Sequence, residues 1–105
     1  MNGELYVKKA VLQASKGDFD SAVQSMNQAI LAGDDEVAIA QAHCFLGEYY
    51  FVKRDYAKSG EHLEWLSERA EDLEQKYDDL LNDELVEADV LLDIMARFLL
   101  YVRSL

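Results

Sequence analysis

The chain has 105 residues, half of them hydrophobic and a tenth aromatic, with no proline and only five glycines. Such a chain makes one small domain over residues 1–105, too apolar for disorder and too poor in turn residues for a sheet, so an all-α fold of about five helices is expected. Its net charge of −11 repels phosphate backbones and argues against nucleic acid as a partner.

The first predicted helix covers residues 3–16, where Tyr6, Val7, Ala10, Val11 and Ala14 recur every three or four positions as one apolar stripe. Gly17 ends it and Asp18 caps the second, residues 19–31, which is expected to bury Phe19, Ala22, Val23, Met26, Ala29 and Ile30. The stretch AGDD stops that helix and starts the third, residues 36–53. This one is apolar on more than one side and needs cover on two faces.

A long fourth helix is read over residues 56–81, and Asn82 and Asp83 supply a cap for a fifth reaching nearly to Leu105. Residues 61–93 hold thirteen acids against two bases, while the remainder is balanced, so the whole charge excess lies there. A basic partner is one use for such a surface; a solvated acidic face that keeps the protein soluble is the other.

The single cysteine, Cys44, has no internal partner for a disulfide, and no leader with a cleavage site opens the chain. A cytoplasmic protein is the expectation. The apolar run VLLDIMARFLLYV, residues 90–102, contains Asp93 and Arg97 and is too short to cross a bilayer, so no membrane role is expected.

Two stretches are alike at an offset of thirty-seven. Gly17 falls on Arg54, Asp18 on Asp55, Phe19 on Tyr56, Ala22 on Ser59, Met26 on Leu63 and Ala29 on Leu66; upstream, Tyr6 falls on His43 and Ala10 on Gly47. A helix hairpin used twice needs these sizes: a tiny residue where two helices meet, an aromatic at the turn, a bulky apolar one turn later. The second copy, AQAHCFLGEYYFVKRDYAKSGEHLEWL, carries Leu46 and Gly47, Tyr50 and the turn aromatic Tyr56, and on these residues it resembles the tetratricopeptide repeat (TPR). In the first copy Lys9 and Gln13 stand where that family has Leu and Tyr, and neither copy has the closing proline.

The resemblance implies antiparallel helix hairpins stacked as a short TPR-like array: hairpin 1 over residues 3–36, hairpin 2 over 37–81, and a C-terminal apolar helix over 83–105 packed on the second pair. It also implies a peptide-binding inner surface. The groove-facing positions are Val7, Lys8, Val11, Ala14 and Ser15 in the first copy, and Gln41, Cys44, Phe45, Glu48, Phe51 and Val52 in the second. Phe45, Phe51 and Val52 suit an amphipathic helix or an extended apolar segment. Their alternative role is core beneath the last helix. The lysine and asparagine set with which some relatives grip a terminal carboxylate is absent, so that type of binding is not expected.

Eleven of the thirteen residues 90–102 are apolar, more than one helix face can hide. Ile94, Phe98, Leu99, Tyr101 and Val102 are therefore a candidate oligomer face through which the chain makes a homodimer, unless the long fourth helix folds back over them.

Nothing points to catalysis. His43 and His62 lack the acid three residues upstream that di-iron bundles use, and no phosphate-binding glycine loop, Cys-x-x-Cys or zinc pattern occurs, so neither metal nor cofactor is expected. The lactose and cellobiose IIA phosphocarriers are similar in the first hairpin, over residues 14–26, but their chemistry needs a histidine in the last helix, and residues 83–105 contain none. The expected function is a non-catalytic adaptor, regulator or small acidic chaperone that binds a protein or peptide partner, with self-assembly as the competing reading.

Overall fold

A computed structural model describes residues 1–103, and every regular element among them is a helix. The order is α1 (Gly3–Ser15), α2 (Phe19–Ala32), α3 (Glu36–Val52), α4 (Tyr56–Glu68), α5 (Ala70–Tyr77) and α6 (Asn82–Arg97). The chain forms two compact units dividing after Ala42, so α3 gives its first turns to one and the rest to the other.

In the first unit α1 packs on α2. Asn2 caps α1, its side chain accepting from the Leu5 amide at 2.9 Å. The hairpin is antiparallel: Gly3, at the start of α1, lies against the Ala29 carbonyl near the end of α2, and Ser25 Oγ donates to Gln13 Oε1 at 2.7 Å. Ala10, Ala22 and Ala29 are wholly buried, and side chains this small let the two backbones come close.

In the second unit the remainder of α3 pairs with α4 in the same sense. Gly47 faces Leu63, and Ser59 Oγ donates to the Gly47 carbonyl at 2.6 Å. Antiparallel to α4 in turn runs α6, with Ser67 near Asp89 and Gly60 against Tyr101. The core here is Leu46, Leu63, Leu66, Leu73, Leu81, Leu92 and Met95, all but closed to solvent.

The residues that overlay in sequence build the same turn twice. After α1 the Gly17 amide donates to Ala14 O and the Asp18 amide to Gln13 O, both at 2.9 Å; after α3 the Arg54 amide donates to Phe51 O at 3.0 Å and the Asp55 amide to Tyr50 O at 2.9 Å. This is the Schellman arrangement, with a left-handed residue just past the helix. Gly17 has φ 77° and Arg54 φ 63°. Asp18 and Asp55 then cap α2 and α4, each accepting the amide three residues on at 3.2 Å.

Four boundaries differ from the sequence expectation, one of them the end of α5 at Tyr77 rather than at residue 81. The single fourth helix is α4 and α5, broken at Arg69, whose backbone leaves the helical region (φ −110°, ψ 8°) and donates to Leu66 O. Its guanidinium takes the Trp65 carbonyl at 3.1 Å, the acceptor its own amide would use in a continuous helix. At the start of α6, Asn82 is already helical and no side chain caps it, so the expected Asn82 and Asp83 cap is replaced by acids in the first turn that favour the positive helix end.

The last helix stops at Arg97 rather than near Leu105, because Leu99 turns left-handed (φ 57°) and the Leu100 amide closes onto Met95 O at 2.7 Å. That is a third Schellman closure, now with leucine in the glycine position.

Placing a side chain with a Cβ in the left-handed region costs of order 1 kcal/mol. Arg54→Gly is therefore expected to stabilise the protein by about 0.5–1 kcal/mol, while Gly17→Ala lowers stability by a similar amount; urea midpoints at constant slope measure both.

Candidate functional site

The first unit carries an open groove of about 760 Å³ between α1 and the first turns of α3. Val7, Val11 and Leu12 form one wall, Val37, Ala38 and Gln41 the other, with Glu4, Lys8 and Asp35 along it. The two helix starts are tied together: the Gly3 amide donates to Asp34 Oδ1 at 2.9 Å, and a Cβ on Gly3 would lie 3.3 Å from that of Ala38. Asp35 caps α3 by accepting the Ala38 amide at 3.1 Å, and Lys8 pairs with Glu4 at 3.0 Å. Val11 and Leu12 are 55% and 62% exposed, so that wall is apolar and open to solvent.

Of the sequence-derived groove residues, Val7, Lys8, Val11 and Gln41 line this one feature together. Val11, read also as part of the buried stripe, is on the open side, and Phe19, expected to be buried, is half-exposed at the start of α2. Leu12, Val37, Ala38, Glu4 and Asp35 were missed. The spacing of Val37 from Gln41, one helical turn, was the signal for the second wall.

Phe45, Glu48, Phe51 and Val52 belong to the second unit. Phe45 and Phe51 are half-buried, Phe51 meeting the edge of Tyr56 with ring centres 5.9 Å apart, while Val52 and Glu48 are exposed. The buried Cys44 thiol points at Glu48 Oε1, 3.7 Å away. Burial, then the carboxylates of Glu48, Glu84 and Glu87, push that thiol well above its ordinary range, which makes it a poor nucleophile. Burial and the Glu87 charge likewise raise Glu48, against the thiol's hydrogen bond.

Between α3 and α4 runs a ladder of rings. Arg69 lies 4.5 Å over Trp65, Trp65 stacks on His43 at 4.5 Å, and Tyr50 stacks on His62 at 5.9 Å. At its centre the Nδ1 atoms of His43 and His62 are 3.0 Å apart. Burial, His62 and then Arg69 lower His43 to about 3. Burial also lowers His62, with Glu61 opposing and Lys58 adding to the shift. His62, like His43, is half-buried.

Past α6, Phe98, Leu99 and Val102 of the candidate oligomer face are 65%, 83% and 75% exposed. Ile94 is half-buried. Tyr101 turns inward, its ring filling the place a Cβ on Gly60 would take. Burial and a hydrogen bond to Glu64 raise its phenol above the ordinary value. A second depression, lined by Glu71, Glu74, Gln75, Asp78, Asp79 and Asn82, holds part of the acid excess. No helix among the described residues is long and apolar enough to cross a membrane.

No family model, curated protein or solved structure matches this chain.

Tyr101 can rest on α4 only because residue 60 has no side chain. Gly60→Ala is therefore expected to displace the Tyr101 ring and speed amide exchange over residues 98–103 by at least about tenfold, equivalent to roughly 1.4 kcal/mol, while circular dichroism keeps its helical signal.

Proposed function

We propose that this chain is a non-catalytic protein-interaction module of TPR-like hairpins, an adaptor, regulator or small acidic chaperone, whose first unit binds the apolar face of a basic amphipathic helix. One observation carries the reading: the groove between α1 and α3 is lined by exposed Val11 and Leu12 and half-buried Val7 and Val37 on adjoining helices, where the resemblance to the repeat family expects a ligand. Its walls are built at helical spacing, which matches a helix seated by residues one turn apart. The charge favours a basic ligand, since Glu4 and Asp35 border the groove against Lys8 alone and residues 1–42 hold six acids against three bases.

A synthetic leucine–lysine amphipathic helix is the probe. On titration, methyl resonances of Val7, Val11, Leu12 and Val37 are expected to shift together, and Val11→Glu to weaken binding by at least about tenfold, roughly 1.4 kcal/mol. Shifts confined to the acidic second unit and unchanged by Val11→Glu would sink the proposal.

A second reading rests on a different observation, the exposure of Phe98, Leu99 and Val102 beyond α6. Here the chain self-associates through that segment. Sedimentation equilibrium is expected to show a dimer that Phe98→Ser dissociates; a wild-type monomer at high micromolar concentration ends this reading.

A further inference from the structure

We propose that His43 and His62 form a proton-operated latch, closed at neutral pH and opened in acid, that holds the second part of α3 against α4. The inference is independent of the groove and of what it binds.

The geometry determines how many protons the pair can hold. At 3.0 Å the two Nδ1 atoms share one hydrogen, so one ring donates through Nδ1–H and the other accepts on its Nδ1 lone pair. In the neutral pair, one ring must therefore be the Nδ1–H tautomer and the other Nε2–H. A first added proton goes to the free Nε2 of the donor ring, giving an imidazolium that still donates to its neighbour. A second puts hydrogen on both facing nitrogens. The bond is then lost and two cations confront each other.

The surroundings oppose both steps. Trp65 covers His43 and Tyr50 covers His62, so the rings are half-buried between aromatic faces. Beyond those faces lie two cations: Arg69, 4.5 Å from the Trp65 ring, and Lys58, 5.2 Å from the Tyr50 ring. Among the described residues, Glu61 is the carboxylate that favours charge on His62. The pair is thus enclosed by aromatics with a cation at each end, Arg69 beside Glu68 at 3.8 Å and Lys58 beside Asp55 at 3.9 Å, and its lowered proton affinity follows first from burial and then from those cations.

The sign of the linkage is fixed by the direction of these shifts. Both imidazoles bind protons less readily in the folded chain than at the ordinary value of 6.5, and His43 is lowered to about 3. Their contribution to stability is therefore complete above pH 6.5 and is lost as the pH falls below it, toward about 3 in the case of His43. Each imidazole lowers the folding constant by up to about tenfold per pH unit in that window. Two coupled groups give two macroscopic steps, and opening belongs to the second.

Two measurements test the latch. Nitrogen-15 spectra of the histidines in the wild-type protein are expected to show one Nδ1–H tautomer at pH 7 and no midpoint at or above 6.5. Two Nε2–H tautomers, or an ordinary titration of either ring, would overturn it. The second measurement follows the emission of Trp65, the only tryptophan, in the wild type and in a His43→Phe, His62→Phe double variant, which keeps both ring stacks and removes both protons. The wild-type acid transition is expected at least about one pH unit above that of the variant. Coincident transitions would mean that carboxylates, not this pair, govern the acid response.

Discussion

The second unit depends on Gly47 having no side chain. Leu63 of α4 occupies the space a Cβ would need, and Ser59 of the same helix reaches the Gly47 carbonyl. A helix with any larger residue there would stand farther off. The hydroxyl would lose its acceptor, leaving a wholly buried polar group in need of another partner. The close approach also brings His43 within reach of both His62 and Trp65, so the ring ladder is a consequence of that one missing side chain. In the first hairpin Ala10 holds the equivalent place and is equally enclosed.

The two units divide their charge differently from their apolar surface. In the first, the polar groups near the groove are already engaged, Lys8 by Glu4, Asp34 by Gly3 and Asp35 by Ala38, so what faces outward is chiefly the methyl groups of Val11 and Leu12. In the second, exposed pairs such as Lys76 with Asp72 and Arg97 with Asp93 are each worth little in water. The acid excess is therefore left to act at longer range, and after burial, the larger cause, it adds to the raised affinities of Cys44, Glu48 and Tyr101 for their protons.

What was legible in the sequence was what local chemistry decides. Asp18 and Asp55 announce helix starts by themselves, and overlaying the two copies puts Arg54 in the left-handed place of Gly17, a conformation arginine does not signal. Register along the repeat also names Val7, Lys8, Val11 and Gln41, which line the open groove of the first unit. What was not legible depends on partners distant in sequence. Arg69 breaks a helix that contains no breaker, because its guanidinium finds Trp65. The run to Val102 reads as helix, yet it turns at Leu99 and delivers Tyr101 to Gly60. His43 has the spacing of a packing residue, and nothing in spacing ties it to His62.

The contact between Tyr101 and Gly60 also bears on the order in which the chain can fold. The α1–α2 and α3–α4 hairpins close over short turns and can form as soon as their residues exist. Gly60, by contrast, is covered by a ring made about forty residues later. During synthesis at roughly 5–20 residues per second, the small-residue face of α4 stays bare for some seconds. In that interval it is open to any chaperone, or to the tail of a second nascent chain.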